Sequence, residues 1–474
     1  MTNYRIESRI NSGPAAIGAL ARVLAIAIGT LCGLAIIPAD AAPAGRLELS
    51  ATVLATGLLI VPFIEGALVG VKPALRIRNL LLVGLVYWLM ADLIQGLYAI
   101  EASQEAIEYA FILTGVFGVG IALGGGVRPP GLPVGLRRIT QLDVTDRQIM
   151  ICAIFCFVIG DFYYVYRANF SPALIIDGLL YRDRWSAPWA RDALGNWDSF
   201  IEQLSYFGYL LPLFTALLYV RSRTFLSAKT AASALLSAGF LAFIIQGGGR
   251  TSVGAILGAA IMVGILMTRR PIRPLHLTLV LAIVFAVQVG MNIIVANRGT
   301  GFGNVFLPDW SLARVRVDDN FNRLAQTIDF VPRAYPYSGL EFAYFGLVRP
   351  IPRVLWPGKP ISAGFSVADA LGEQETTLTT SVVGEAYAGY GLPLVLATGI
   401  FFGAAARWWE RTLDGRVTSG AVILYAFGAM ALFTGLRGFV NIVLMSYPIL
   451  SFWLLATIFW IGKSTVTTRV RKIG

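Results

Sequence analysis

The chain has 474 residues, of which 56% are hydrophobic and only 14% are charged. A water-soluble domain is about a quarter charged, so this composition excludes an ordinary soluble fold and indicates an integral membrane protein. The formal net charge of +11 does not indicate nucleic-acid binding by itself, because the cytoplasmic loops of membrane proteins are already rich in Lys and Arg. The three cysteines all lie in apolar runs and form neither a disulfide framework nor a metal site.

Apolar runs long enough to cross a bilayer, which takes roughly 17–25 residues, recur along the whole chain. They lie at about 16–38, 50–71, 79–99, 106–124, 148–166, 201–220, 230–246, 251–268, 275–296, 388–407, 418–435 and 441–462. The first run resembles a signal peptide, but its length favours an uncleaved span. We therefore predict an all-α polytopic membrane protein with about twelve transmembrane helices, forming one integral membrane domain over residues 1–474.

The connections between these runs predict the topology, because cytoplasmic loops carry an excess of Lys and Arg. With the N-terminus (Arg5, Arg9) in the cytoplasm, every connection that falls inside is basic. The residues concerned are Lys72, Arg76, Arg78, Arg128, Arg137, Arg138, Arg147, Arg221, Arg223, Lys229, Arg269, Arg270, Arg273, Arg411 and Arg416, with Lys463, Arg469, Arg471 and Lys472 in the tail. This pattern predicts that both termini are cytoplasmic.

Two connections are long, and both fall on the outer side: residues 167–200, and residues 297–387 between the ninth and tenth spans. Loops of this length in a compact protein are usually functional. The second contains PIPRVLWPGKP, residues 350–360. Its four prolines exclude a helix and predict a stiff, turning segment.

Arginines are abundant on this outer side, although the distribution of charge in membrane proteins disfavours them there. They are Arg167, Arg182, Arg184, Arg191, Arg250, Arg298, Arg314, Arg316, Arg323, Arg333, Arg349, Arg353 and Arg437, with Lys359 as the only lysine. The planar guanidinium fork suits phosphate oxygens. Each of these arginines either binds an anionic ligand, pairs with a carboxylate, or reaches lipid phosphates.

Two of the outer arginines lie in very short turns beside glycines, Arg250 in QGGGRTS and Arg437 in GLRGF. Glycine allows a ligand to approach the backbone closely, so we favour a binding role for both. Several arginines near the outer leaflet suit a diphosphate-linked lipid. Because nucleotides are not supplied outside the membrane, a transferase there must take its sugar from a lipid carrier.

Carboxylates and aromatic residues accompany these arginines. Glu385, in SVVGEAYAGYGLP, stands where the chain re-enters the membrane; it is either a general base or a partner of a helix N-terminus or of an arginine. Glu341 and Tyr344 precede Arg349 in GLEFAYFGLVRPIPR, an arrangement typical of sugar sites and equally of membrane-interface loops.

Other acids have different expected roles. Asp318, Asp319 and Asp329 alternate with arginines, which predicts an amphipathic helix and mainly ion pairing. The acids within the apolar runs, Glu65, Asp92 and Asp161, are costly to bury and suit an ion pathway in a transporter. No Asp-x-Asp or Cys/His cluster indicates a metal, and we predict no metal and no cofactor.

The segment RPIPRVLWPGKP, followed by GEAYAGYG in a chain with about twelve spans and a large late outer loop, resembles the bacterial Wzy-type polysaccharide polymerases (oligosaccharide repeat unit polymerases). The resemblance covers the C-terminal half. It implies a GT-C-like, metal-independent glycosyltransferase in the bacterial inner membrane. Such an enzyme joins repeat units carried on undecaprenyl diphosphate at the periplasmic face, and a flippase and a chain-length-regulating copolymerase are its expected partners.

The resemblance also guides the choice of site residues. The expected catalytic residues are Glu385, Glu341 and Arg353. The expected diphosphate-binding and sugar-binding residues are Arg250, Arg298, Arg323, Arg349, Lys359, Arg437, Tyr344 and Trp356. The related O-antigen ligases use a histidine in the outer loop, which this chain lacks, so a carboxylate would act as the base. A flippase and a ligase-like transferase remain the alternatives.

Overall fold

The computed structural model describes residues 18–41, 46–97, 99–190, 197–268, 274–305, 314, 316–373, 378–415 and 417–461. In these residues the regular secondary structure is entirely helical, which confirms the all-α prediction. The predicted cytoplasmic cations Arg5, Arg9, Arg269, Arg270, Arg273, Arg416, Lys463, Arg469, Arg471 and Lys472, and the outer Arg191, lie outside the described residues.

Most of the principal helices follow the predicted apolar runs, and two lie within the connection predicted at residues 297–387. In chain order they are α1 (Ala19–Ala35), α2 (Glu48–Val69), α3 (Ile77–Ile94), α4 (Gln104–Gly124), α5 (Asp146–Arg167), α6 (Trp197–Ser222), α7 (Ala228–Gln246), α8 (Arg250–Met267), α9 (Pro274–Ala296), α10 (Asn320–Phe330), α11 (Glu341–Val348), α12 (Ser381–Leu413), α13 (Ser419–Gly435) and α14 (Val440–Phe459). Nine of these are long and apolar enough to span a membrane, namely α2 to α8, α12 and α14, and α1, α9 and α13 contain shorter apolar helices.

One boundary of the connection predicted at residues 297–387 differs from the prediction. Helix α12 begins at Ser381, whereas the hydropathy of the sequence places the start of its span near residue 388. The first turns of α12 carry Gly384 and Glu385, which lower the local hydropathy, yet Val382, Val383 and Ala386 there are buried within the protein. Residues 381–387 are therefore helical rather than part of the connection.

A close helix crossing joins α4 to α12 through glycines spaced four residues apart. Gly120 and Gly124 of α4 face Gly399 and Gly403 of α12, and a Cβ placed on Gly120 would lie 2.9 Å from the Cα of Gly399. Small residues at this spacing let two helix backbones approach closely, which is a common way for membrane helices to associate.

Contacts between helix ends show that the helices alternate in direction. At one end, where α1 begins and α2 ends, Arg22 and Asn79 contact Glu65; we call this the Arg22 end. At the opposite end, where α3 ends and α8 begins, the backbone around Asp318 contacts Asp92 and Arg250; we call this the Arg250 end. Both long connections belong to the Arg250 end.

Substituting Gly399 tests the α4–α12 crossing. A Cβ there would lie 2.6 Å from the carbonyl oxygen of Phe117, so Gly399→Ala should lower the thermal unfolding midpoint of the purified protein, at an overpacking cost of roughly 1–3 kcal/mol. Gly264→Ala in α8 is the matched control, because nothing lies within 4 Å of the added methyl group. Equal midpoints for the two variants would contradict the described packing.

Candidate functional site

The centre of the Arg250 end is a carboxylate shared by two arginines. Asp318 Oδ2 accepts a hydrogen bond from Arg437 Nε at 2.5 Å, and its Oδ1 accepts one from Arg250 Nη2. Arg250 also donates to the carbonyl oxygen of Val317 at 2.5 Å. Each guanidinium has five N–H donors, and the two side chains remain 22% and 24% exposed. The Arg250–Asp318–Arg437 junction therefore keeps donors that an anion can reach.

Short glycine-containing turns place both arginines. Arg250 is the first residue of α8, directly after the turn that ends α7, where Gly248 has a φ of +71°. Arg437 follows the end of α13, and the preceding residue, Leu436, accepts a hydrogen bond through its carbonyl oxygen from the Val382 amide of α12. The turn that carries Arg437 is thus fixed to the helix that carries Glu385.

Asp92, at the end of α3, holds the backbone that carries Asp318. Its Oδ1 accepts a hydrogen bond from the Val317 amide at 2.9 Å, and its Oδ2 accepts from the amides of Asp318 and Asp319 at 3.3 and 3.0 Å. Asp92 is only 7% exposed. A buried carboxylate with three backbone donors is well satisfied, so its role in this structure is to position the junction.

A π-helical turn in α3, Val86–Met90, directs further polar groups towards the same region. The Tyr87 hydroxyl contacts Gln288 Oε1 at 2.8 Å, and Gln288 Nε2 donates to the carbonyl oxygen of Arg316 at 3.3 Å. Trp88 Nε1 donates to the carbonyl oxygen of Phe433 at 3.0 Å. Such turns inside α-helices occur frequently at functional sites, and this one ties α3 to α9 and α13.

Glu385 lies beside the turn that carries Arg437. Its Oε2 accepts a hydrogen bond from the Phe439 amide, just before α14, at 2.7 Å. Its Oε1 lies 3.1 Å from where a Cβ on Gly438 would stand, and Arg437 is within electrostatic range. Two of the alternatives for Glu385 are thus seen together: it partners a helix N-terminus and lies near an arginine. Its Oε1 keeps lone pairs that can accept a proton.

The part of the GEAYAGYG motif that follows Glu385 forms a kink in α12. Tyr390 and Gly391 depart from helical geometry, and Gly391 has a φ of +66°. The kink frees the carbonyl oxygens of Ala388 and Gly389, and the amides of Ser338 and Gly339 donate to them at 2.9 and 3.0 Å. The motif therefore docks the start of α11 onto α12.

The two cations of the proline-rich segment bond to the backbone of the segment itself. Lys359 Nζ donates to the carbonyl oxygens of Arg349 and Ile351 at 2.8 and 2.7 Å, and Arg353 donates to those of Pro357 and Pro360 at 3.3 and 3.0 Å. Burial, with the nearby charges of Arg349 and Arg353, lowers the pKa of Lys359. Both side chains therefore fix the shape of residues 349–360.

Helix α11 connects this segment to Glu385. The ring of Phe342 packs edge-on against Phe439, the residue whose amide bonds Glu385. Tyr344, on another face of α11, is exposed. The Glu341 carboxylate is also on the surface, where it contacts Gly364.

Three other predicted site residues, Arg349, Trp356 and Arg298, lie in different parts of the structure. The Arg349 guanidinium lies 5.4 Å from the ring centre of Phe345. Trp356 is partly exposed in the proline-rich segment, and Arg298 is exposed beside Gly248, in the turn before Arg250. Only Arg298 among these lies close to the junction.

Arg323 lies on helix α10, and its contacts are with neighbouring residues of the chain. It donates to Gln326 Oε1 at 2.9 Å and lies 3.8 Å from Asp319. Asp319 stands at the N-terminus of α10, where burial raises its pKa to about 6. The expected pairing of these acids with the neighbouring arginines is therefore observed for Arg323. Arg250 and Arg437, for which we favoured a binding role, also pair with one of these acids, Asp318.

The structure thus brings Arg250, Arg437 and Glu385 together. It places Glu341, Tyr344, Arg349, Arg353, Trp356 and Lys359 in a second group around α11, and Arg323 on α10. The sequence did not identify Asp318 as the link or Asp92 as its support, although the cost of burying Asp92 was a signal. Of the other acids within the spans, Glu65 pairs with Arg22 at 2.5 Å, and in the described residues neither oxygen of Asp161 has a hydrogen-bond partner.

No group of three His, Cys, Asp or Glu side chains in the described parts of the chain is placed to hold a metal ion. Comparisons with protein-family models, with curated proteins and with solved structures find no match to this chain. The fold and site define a polytopic helical membrane protein with a cationic junction at one end.

Removing the charge of Asp92 tests its role. Asp92→Asn replaces one acceptor oxygen with a donor that faces backbone N–H groups. Hydrogen bonds to charged groups contribute roughly 1.5–3 kcal/mol, so amide exchange at Val317–Asp319 should accelerate at least about tenfold. Asp177→Asn is the control, because that acid forms an exposed ion pair with Arg182. Unchanged exchange at Val317–Asp319 in Asp92→Asn would show that Asp92 does not hold this segment.

Proposed function

We propose that this protein is a membrane glycosyltransferase that polymerises oligosaccharide repeat units carried on a polyprenyl diphosphate. In this proposal it is a GT-C-like protein of twelve spans in the bacterial inner membrane, with cytoplasmic termini and the Arg250 end facing the periplasm. The observation that carries the proposal is the Arg250–Asp318–Arg437 junction with Glu385 beside it. A paired guanidinium site suits a diphosphate, and an adjacent carboxylate suits a sugar hydroxyl.

The arginines supply the main electrostatic contribution. When the anomeric C–O bond of the donor breaks, its electron pair goes to the departing diphosphate. Cations fixed before the reaction stabilise that developing charge, and one such donor contributes roughly 2.7–4 kcal/mol, or a hundred- to a thousand-fold in rate. Arg250 and Arg437 meet this requirement because helix ends and glycine turns fix both of them.

Glu385 is the proposed base. The non-reducing hydroxyl of a second lipid-linked unit attacks the anomeric carbon, forms the new C–O bond and gives its proton to the free Oε1 of Glu385. The products are a longer glycan on the acceptor's carrier, a free polyprenyl diphosphate and one proton. The amide of Phe439 holds Oε2 at 2.7 Å, so the carboxylate stays oriented throughout the reaction.

The group around α11 is the proposed sugar-binding wall. Arg353 and Lys359 stiffen the proline-rich segment through its own carbonyl groups, and their role is therefore positioning rather than contact with the leaving group. The exposed Tyr344 and the partly exposed Trp356 are available to stack on sugar rings, and the Glu341 carboxylate is available to bind hydroxyl groups.

The rival proposal is a flippase. The observation that favours it is Asp161, whose carboxylate has no hydrogen-bond partner among the described residues. Against transport, Glu65 and Asp92 lie at opposite ends of the bundle, and each is satisfied by fixed partners. A proton or ion pathway would need acids in sequence along one route. We therefore place the transferase first.

Complementation in a host from which the gene has been deleted tests the transferase. We predict that Arg250→Ala, Arg437→Ala and Glu385→Gln, matched for expression, abolish long polymer. Single repeat units should accumulate on the outer leaflet and remain transferable to their acceptor. Arg182→Ala is the control, because Arg182 is an exposed arginine at the same end with an exposed partner, and it should support normal polymer.

Two other outcomes of this experiment contradict the proposal. Repeat units trapped on the inner leaflet of the variants would identify a flippase. Full-length polymer that stays on its lipid carrier would identify a ligase. Gel resolution of the lipid-linked glycans, combined with leaflet-specific labelling, separates these results from a polymerisation defect.

Asp318 gives a separate prediction. Without its charge, the two guanidinium groups repel each other and lose their shared orientation, so Asp318→Asn should shorten the polymer strongly, with a larger effect on turnover than on expression. Asp318→Glu, which keeps the charge, should restore part of the activity. Polymer as long as in the wild type, or longer, in Asp318→Asn would show that Asp318 competes with the ligand instead.

A further inference from the structure

The Arg22 end contains a second concentration of arginines, which the proposed transferase does not use. Arg22 is 4% exposed; its Nη2 lies 2.5 Å from Glu65 Oε1, and its Nη1 donates to Asn79 Oδ1 at 2.7 Å. Arg76 lies 4.0 Å from the same oxygen of Glu65. One carboxylate therefore faces two buried or nearly buried guanidinium groups.

A second carboxylate, Glu410, also faces two arginines. Arg78 Nε lies 3.7 Å from Glu410 Oε1, and Arg407 Nη1 donates to Oε2 at 3.2 Å. Arg22, Arg76 and Arg407 are all within electrostatic range of Arg78. Among the residues that the structure describes, the cluster thus has four arginines and two glutamates, and four positive charges less two negative charges leave an excess of two.

A pocket of about 110 Å³ opens into this cluster between α1, α3 and α4, with Arg22 and Arg78 in its lining. A single water molecule needs roughly 10–15 Å³, so the pocket can hold a larger group. Gly125, Gly126 and Ala19 form part of its wall and keep it open. Arg78 Nη1 donates to the carbonyl oxygen of Gly125, another lining residue, at 3.5 Å, so the guanidinium group of Arg78 borders the pocket.

The face of α1 that points away from the rest of the bundle is apolar. Four residues of α1 lie on this face at helical spacing and are 52–72% exposed: Leu20, Leu24, Ile28 and Leu31. In a membrane-spanning protein such a face contacts lipid chains. The pocket therefore combines excess positive charge with a place at the end of α1, a helix whose other face is exposed and apolar.

We propose that this pocket binds a phosphate group, presented by an anionic membrane lipid whose acyl chains lie along α1. Basic pockets between membrane helices are suited to anionic head groups, and guanidinium groups bind phosphate oxygens in pairs. Occupancy neutralises the charge excess and joins α1, α3 and α4 at one end of the bundle. This inference does not depend on the proposed transferase.

The test uses the purified full chain in detergent, titrated with phosphatidylglycerol, with phosphatidylcholine or with inorganic phosphate. Native mass spectrometry and thermal unfolding report binding. Phosphatidylglycerol should form a discrete adduct and raise the unfolding midpoint, because a ligand that binds only the folded state stabilises it. Phosphatidylcholine, which has no net charge, should have little effect.

Three variants locate the binding. Arg78→Gln should weaken phosphatidylglycerol binding about tenfold or more, since it removes a charge-assisted contact. Ala19→Phe should do the same by filling the pocket while leaving every charge in place, which separates pocket occupancy from damage to the ion network. Arg137→Gln is the control, because Arg137 is an exposed arginine of the short helix Val134–Ile139, and it should bind as the wild type does.

The outcomes decide both the pocket and the source of the phosphate. If inorganic phosphate alone reproduces the stabilisation, and Arg78→Gln and Ala19→Phe abolish it, the pocket is supported and its ligand is soluble. If both variants bind phosphatidylglycerol as tightly as the wild type, the proposal is overturned. A response to phosphatidylcholine equal to that to phosphatidylglycerol, unchanged in both variants, also overturns it, because it indicates only general lipid contact.

Discussion

The carboxylate of Asp318 between the guanidinium groups of Arg250 and Arg437 is the interaction on which the candidate site depends. Two unit charges about 4 Å apart interact by roughly 4 kcal/mol at an effective dielectric constant of 20. Two arginines without a counter-ion would therefore separate. Asp318 can hold them because Asp92 binds three consecutive backbone amides around it. A buried acid at the end of α3 thus sets the geometry of charges carried by other helices.

The two ends of the bundle use arginine differently. At the Arg250 end, partly exposed arginines share one acid and face a long connection rich in glycine, proline and aromatic residues. At the Arg22 end, four arginines, of which Arg22 and Arg76 are buried, share two acids and border a small pocket at the end of α1. In the account proposed above, the first arrangement serves a mobile substrate that must leave after each turnover. The second serves a resident lipid that stabilises the fold.

The helical architecture was accessible from the sequence because hydropathy reports burial in lipid directly. Hydropathy misplaced the start of α12, because protein rather than lipid surrounds the first turns of that helix. The neighbouring glycines identified Arg250 and Arg437 as separate candidates. Their common partner, Asp318, is 68 and 119 residues away from them in the sequence. No local spacing of residues encodes such a contact. The sequence suggested Arg353 and Lys359 as ligand-binding cations. Their observed bonds to carbonyl oxygens have a physical reason: prolines lack N–H donors, so side chains supply the missing hydrogen bonds of the segment.

The most direct test of the central claim is an assay of the purified protein with a synthetic polyprenyl-diphosphate oligosaccharide, measuring release of polyprenyl diphosphate as the glycan lengthens. The account predicts metal-independent release by the wild type and a decrease of about a hundred-fold or more in the turnover number of Arg437→Ala. Release by Arg437→Ala within a few-fold of the wild type would contradict the assignment of the junction as the site that stabilises the leaving group.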